Sequence, residues 1–138
     1  MEQPKKASFG FKKFTVPQFS YNSSKDSNPE LDLMFDPSGE YNESEGEYYL
    51  TLNFKGVENK NTVISVTSVA EFKFSEKLKK AEIPDFFYTN SIAIMFPYVR
   101  AFISNLTLQS NTGLIMLETL NLTSLRVALK SNTKLKSV

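Results

Sequence analysis

The chain has 138 residues and a formal net charge of +1, so it exerts no general pull on nucleic acid or acidic lipid. It contains no Cys and no His, which excludes disulfides, thiolate chemistry, Ser-His-Asp triads and the usual zinc sites from this chain alone. Twelve Phe and six Tyr beside no Trp favour strands and interfaces, and the 41% hydrophobic content suits one domain with a modest core.

Residues 1–7 are polar and read as a loose end. The N-terminus has no apolar run of the signal-peptide kind, so a cytoplasmic protein is expected. From Phe9, apolar residues alternate, slip phase at Lys12-Lys13, resume at Phe14 and Val16, and slip again at Pro17 before Phe19 and Tyr21. This predicts a first strand over roughly 8–21 with one or two bulges, at an edge of its sheet. After a polar turn from Asn22 to Pro29, the alternation of Leu31, Leu33 and Phe35 predicts a second strand. Asp36-Pro37-Ser38-Gly39 reads as a turn, and the acidic stretch Glu40 to Glu47 as a solvated connection rather than a metal site. Tyr48, Leu50, Leu52 and Phe54 give a third strand, and Gly56 to Asn61 turns the chain. A fourth strand, Thr62 to Phe74, puts Ile64, Val66, Ala70, Phe72 and Phe74 on one face and Val63, Ser65, Thr67, Val69, Glu71 and Lys73 on the other. Short turns between consecutive strands imply an antiparallel sheet.

Glu76 to Ala81 is a charged connector, and Ile83 to Tyr88 reads as a short helical turn ahead of a separate helix, Ser91 to Ser110. In that helix Ile92, Met95, Phe96, Val99, Phe102 and Leu106 form an apolar stripe at i, i+3, i+4, i+7. Ile94, Tyr98, Ala101 and Ile103 lie off the stripe and are apolar too, so packing on two sides is expected, the second partner being another subunit. Pro97, Arg100, Ser104 and Asn105 interrupt the run well short of a membrane span. Asn111-Thr112-Gly113 ends the helix, with Gly113 near the position after the C-cap. Leu114 to Leu117 and Leu120 form an apolar segment without a period, and Asn121 or Thr123 can cap a last helix carrying Leu122, Leu125 and Leu129. Residues 131–138 read as a frayed basic tail.

Three features together resemble the SecB family of export chaperones. They are IPDFFYTNSIAIMFPYVRAFISNLT, with Phe96-Pro97-Tyr98 and Arg100 at its centre; Leu120-Asn121-Leu122 before the last helix; and Pro29-Glu30-Leu31-Asp32-Leu33 ahead of the Tyr48 strand. The resemblance covers about residues 9–129 and implies an α+β fold. Its parts are a four-stranded antiparallel sheet, a long helix, an apolar connecting loop and a short C-terminal helix, in a single domain over 1–138 with flexible ends at 1–7 and 131–138. It implies a homo-tetramer built as a dimer of dimers, with the long helices between the sheets. Ile92, Met95, Phe96, Val99, Phe102, Ile103 and Leu106 are therefore expected at the oligomer interface.

The implied function is chaperoning: unfolded polypeptides held in apolar grooves and kept competent for export, without cofactor, metal, nucleic acid or membrane insertion. By position, Leu31, Leu33 and Phe35 match the family's groove strand, and Leu114, Ile115, Met116, Leu117 and Leu120 its connecting loop. Unfolded clients share only apolar side chains and free backbone groups, and adaptable Met and Leu suit them. The chain departs from the pattern where family members dock the SecA motor. Gln18, Asn22 and Thr67 stand at acidic positions, Lys130, Lys134 and Lys136 make the end basic, and Gly113 and Thr119 replace loop prolines. SecA delivery is thus doubtful, and the alternative is a SecB-fold adaptor or toxin–antitoxin-associated chaperone holding one dedicated partner. Carboxylates with Lys or Tyr could do acid–base work, but no convincing pair is bracketed by apolar segments, so a binding protein rather than an enzyme is expected.

Overall fold

The computed structural model describes residues 8–26 and 29–136. The loose end expected at 1–7 lies outside the described residues, as do the last two residues, 137 and 138, of the tail expected to fray from 131.

Strand β1 (Phe9–Tyr21) is followed by β2 (Asp32–Asn42), β3 (Glu47–Glu58) and β4 (Asn61–Phe74). A 3₁₀ turn (Lys80–Glu82) leads into α1 (Asp85–Gln109), and the chain ends in α2 (Leu125–Ser131) and β5 (Thr133–Leu135). The sheet order is β1-β4-β3-β2-β5, with β5 parallel to β2 and all other pairs antiparallel. The fold is α+β as expected, but the sheet has five strands, not four. The fifth strand takes residues 133–135 of the segment expected to fray. Thr133 is buried, and its hydroxyl meets Tyr48 Oη at 2.6 Å and donates to the Leu129 carbonyl at 2.7 Å. Lys136 then donates its N–H to the Tyr41 carbonyl at 2.9 Å, and its ammonium lies over the Tyr49 ring.

The period-two pattern of β3 and β4 makes one face of the sheet apolar and the other polar. Tyr48, Leu50, Leu52 and Phe54 of β3, with Ile64, Val66, Ala70, Phe72 and Phe74 of β4, are buried under α1. Phe87 of α1 sits among Phe9, Tyr48, Phe72 and Phe74, with ring centroids 4.7–5.6 Å away in edge or tilted geometry, at the centre of an aromatic core. Register shifts at Phe11/Lys13 and Thr15/Gln18 are the two bulges read from the phase slips of β1.

Three local expectations are corrected. Asp36 to Gly39 is not a turn but the middle of β2, paired without interruption with Asn53 to Leu50 of β3. Pro37 fits because β2 carries only a short partner strand on that side, and Gly39 because Tyr48 Oη would stand 1.9 Å from a Cβ there. Ile83 to Tyr88 is not a separate turn: Pro84 is the N-cap of α1, which runs unbroken for 25 residues through Pro97. Pro97 and Ala93, the residue whose carbonyl it leaves without a helical donor, both lie on the exposed side, where water can serve that carbonyl. After the C-cap Ser110, it is Asn111 (φ 56°) rather than Gly113 that takes the left-handed position.

Candidate functional site

Between α1 and α2 the chain runs from 112 to 122 without helix or strand. This segment is fixed by a polar strip on α1 made of Arg100, Ser104 and Thr107, spaced i, i+4, i+7. Arg100 Nε donates to the Leu117 carbonyl at 2.5 Å, and Ser104 Oγ to the Ile115 carbonyl at 3.3 Å. Thr107 Oγ1 accepts the Ile115 N–H at 2.9 Å and donates to the Ile103 carbonyl at 3.0 Å. Tyr21 Oη meets Thr112 Oγ1 at 2.8 Å. The loop is therefore held by its backbone, which frees its side chains to alternate. Leu117 is buried and Ile115 half-buried, while Leu114 and Met116 are 51% and 59% exposed.

A cavity of about 450 Å³ lies between this loop and the sheet. It is lined by Leu31, Leu33 and Val63 on the sheet side and by Leu114 to Leu117 with Leu120 on the loop side. Tyr21, Ser24, Asp26, Thr112 and Glu118 line it too, so the cavity is mixed in character. Seven of the eight residues singled out from the sequence thus surround one space. Phe35 does not: its ring packs on Phe54 at 5.1 Å and on Phe96 at 6.0 Å. Leu117, at 4% exposure, is as much core as lining. A cavity of mixed lining can take apolar side chains against its leucines and keep polar groups of a ligand hydrogen-bonded.

Several contributors gave no sign in the sequence. Val63 had been placed on the outer face. A register shift between Gly56/Val57 of β3 and Thr62/Ile64 of β4 inserts it as a bulge, so that Val63 and Ile64 are both buried. Gly56, taken for a turn residue, is in β3, where a Cβ would come 3.2 Å from Leu31 and 3.0 Å from Ile64; its absence lets Leu31 lie over the strand. The i, i+4, i+7 spacing of Arg100, Ser104 and Thr107 was legible, but only as an interruption of the apolar run. Glu43 of the acidic stretch has a structural task, accepting the Lys80 N–H at 2.9 Å at the start of the 3₁₀ turn.

The residues expected at an oligomer interface are mostly elsewhere. Ile92, Met95, Phe96, Val99 and Ile103 are buried within this chain against its own sheet, and Phe102 and Leu106 are half-buried beside them. Periodicity marks a helix face that is covered without saying by what, and here the sheet covers it. The outward face of α1 carries Phe86, Ala93, Ile94, Pro97, Tyr98, Ala101 and Leu108, all exposed.

No family model matches the chain. The uncharacterized protein MJ0357 of Methanocaldococcus jannaschii is 32% identical over 130 residues, covering 88% of this chain and 84% of that protein. Among solved structures, the Mycobacterium tuberculosis Rv1957 SecB-like chaperone, in complex with a ChAD peptide from the Rv1956 HigA1 antitoxin, superposes with a TM-score of 0.65. The match covers 83% of this chain and 91% of that one at 13% identity, a likeness of fold. A protein of unknown function from Streptococcus agalactiae aligns at a TM-score of 0.46 and 13% identity over 80% of this chain and 97% of that one, too low to carry an argument.

Proposed function

From a chain that belongs to the family of the Methanocaldococcus jannaschii protein MJ0357 and has the SecB-like fold, we propose a chaperone that holds non-native polypeptide. The observation that carries this reading is the cavity between Leu31, Leu33 and Val63 and the loop from Leu114 to Leu120. It brings six leucine, isoleucine and methionine side chains of the loop and strand β2 together with Val63, and one wall is a loop without secondary structure whose backbone is hydrogen-bonded to side chains of α1. Such a wall can rearrange its side chains around different apolar segments without disturbing the sheet. Binding of this kind uses buried apolar area alone and calls for neither cofactor nor catalysis.

A dedicated partner is favoured over general export. The solved SecB-like relative in fold holds a peptide of an antitoxin. In this chain Gln18, Asn22 and Thr67 offer no acidic docking surface, and the end is basic at Lys130, Lys134 and Lys136. Lys130 is moreover paired with Asp85 at 2.8 Å. Electrostatic steering to a basic docking partner such as the SecA motor would require the opposite sign. The reading includes a cytoplasmic location and a homo-oligomer, a dimer at least and a tetramer by the family resemblance.

The test is binding of a permanently unfolded protein, reduced carboxymethylated α-lactalbumin, to the native chain and to Leu114→Ser with Met116→Ser. Both side chains are exposed, so their replacement spares the core. Each contributes roughly 1.5–3 kcal/mol when a client covers it, so affinity should fall at least about tenfold while the melting temperature holds. Unchanged affinity would remove the groove from this reading.

A further inference from the structure

The start of α1 and the last helix meet beside a second pocket, of about 600 Å³, which shares no residue with the groove. Asp85 and Tyr88 line it from α1 at i, i+3. From α2 come Arg126 with Lys130 and Val127 with Ser131, each pair at i, i+4, and Lys80 of the 3₁₀ turn completes the lining. Lys130 is held by Asp85 at 2.8 Å. That hydrogen bond, and then the charges of Lys130 and Arg126, keep the Asp85 carboxyl below the usual carboxylate range. Among the described residues Lys80 and Arg126 form no ion pair. Three cations against one carboxylate leave two positive charges around the pocket. Tyr88 is only 3% exposed and packs on the rings of Tyr48 and Phe87. Its carbonyl accepts the Ser91 hydroxyl, but its own hydroxyl has no hydrogen-bond partner among the described residues. No fully buried side-chain oxygen or nitrogen there lacks a partner, so this hydroxyl is the part of Tyr88 that opens on the pocket. Burial, and then the charge of Asp85, hold the phenol above the ordinary tyrosine range, which keeps it a donor. A nearly buried donor without an acceptor, beside unpaired cations, calls for an anion.

We infer that this pocket binds a small phosphate monoester, whose phosphoryl oxygens accept from the Tyr88 hydroxyl, Lys80 and Arg126 and whose organic part lies on Val127. A phosphate monoester carries a charge of about −1.5 to −2 at neutral pH, which matches the two positive charges left around the pocket. A monocarboxylate would neutralise one of them and has only two acceptor oxygens for the three donors. The volume is larger than a bare phosphate needs and lies in the range of small-molecule sites. Val127, 66% exposed, offers the organic part an apolar surface. Ser131 takes no part in holding the anion, because its hydroxyl already donates to the Val127 carbonyl at 2.7 Å. The site stands independently of the client-binding reading, since its residues are remote from the loop and the strands that line the groove.

The probe is phenyl phosphate, titrated calorimetrically at low salt against the native chain, with benzoate, inorganic phosphate and a phosphoserine peptide as comparisons. Phenyl phosphate should bind, and benzoate should bind roughly tenfold or more weakly. Arg126→Gln, an exposed change, should weaken phenyl phosphate roughly tenfold or more, and Tyr88→Phe about fivefold or more. Because the Tyr88 hydroxyl supports no contact within the chain, Tyr88→Phe should leave the melting temperature unchanged, which a structural role for that hydroxyl would not allow. Neither variant should alter binding of reduced carboxymethylated α-lactalbumin. Absence of phenyl phosphate binding at millimolar concentration, or binding that both variants retain in full, would overturn the site. Benzoate bound as tightly as phenyl phosphate would overturn the phosphate assignment. Inorganic phosphate bound as tightly would overturn the role of Val127 and make the occupant free phosphate. A phosphoserine peptide bound more than about tenfold tighter than phenyl phosphate would assign the pocket to a phosphorylated protein segment and overturn the small-molecule reading.

Discussion

Thr133 joins the end of the chain to the middle of the sheet through a buried relay. Its hydroxyl proton goes to the Leu129 carbonyl at 2.7 Å, which leaves its oxygen to accept the Tyr48 O–H at 2.6 Å. Thr133→Val keeps the shape and strands the buried tyrosine hydroxyl. The expected cost is about 1–3 kcal/mol in urea denaturation, with Thr133→Ser close to the native value. Burial pushes the Tyr48 phenol well above the ordinary tyrosine range, with the Thr133 hydrogen bond opposing it. Tyr49 donates to Glu47 Oε2 at 2.6 Å, and that bond to a carboxylate, helped by burial, pushes its phenol up to about 12. A folded-state value above the unfolded one, near 10, means that the folded chain holds these protons longer. The stability they contribute is complete below about pH 10 and is lost as pH rises past it. Denaturation midpoints followed upward from pH 9 should therefore fall beyond pH 10, and less steeply in Tyr48→Phe with Tyr49→Phe. An equal fall in the double variant would place the alkaline weakness elsewhere.

At the scale of elements, the N-terminal half of the loop from 112 to 122 is tied down by Tyr21, Ser104 and Thr107, and Thr107 is the buried one of the three. Thr107 is buried, accepts from the Ile115 N–H and donates to Ile103. Thr107→Val removes the acceptor while filling the space. The loop amide should exchange faster, limited proteolysis should move to 112–117, and the melting temperature should drop by no more than one lost hydrogen bond implies, about 1 kcal/mol. If proteolysis leaves the loop intact, the loop is held by apolar packing of Ile115 and Leu117 instead. The elements differ in how plainly the sequence announced them. The first halves of the strands were legible because one face of each is covered and the period of two survives in Tyr48 to Phe54 and Ile64 to Phe74. The second half of β2 was not, because Pro37 and Gly39 speak for a turn wherever the neighbouring edge is unknown. The fifth strand, Thr-Lys-Leu, has no period long enough to detect, and its anchor is a tyrosine 85 residues away. The groove's apolar side chains stood out for lack of any other use. Its Val63 bulge and the gap at Gly56 depend on register between strands, which one sequence does not display.

At the scale of the molecule, α1 is apolar on two sides for two reasons. Its inner stripe, from Phe87 through Ile92, Met95 and Val99 to Ile103, is covered by the sheet of the same chain. Its outer face leaves Ile94 at 37% and Tyr98 at 46% exposure, with Ala93, Pro97 and Ala101 between them and Phe86 and Leu108 toward the ends. Small residues between larger apolar ones permit a close approach, and an apolar strip of this length on a monomer is unusual. The proposed assembly therefore rests on this outer face and not on the inner stripe. It leads to a sharper test at Ile94 and Ala101 than at Phe102 or Tyr98, whose rings contact Phe19 at 5.2 Å and Phe11 at 5.0 Å within the same chain. Ile94→Asp with Ala101→Glu places carboxylates at exposed positions. In a monomer such changes should cost no more than about 0.5 kcal/mol. In an assembly that buries α1 against a second copy, each unpaired carboxylate costs several kcal/mol, on the order of a whole contact. Light scattering at micromolar concentration should give an oligomer for the native chain and a monomer, still folded by circular dichroism, for the variant. A monomeric native chain would remove the assembly from the proposed function. An unchanged oligomer in the variant would show that the subunits meet elsewhere, and the outer face of α1 would then be free surface.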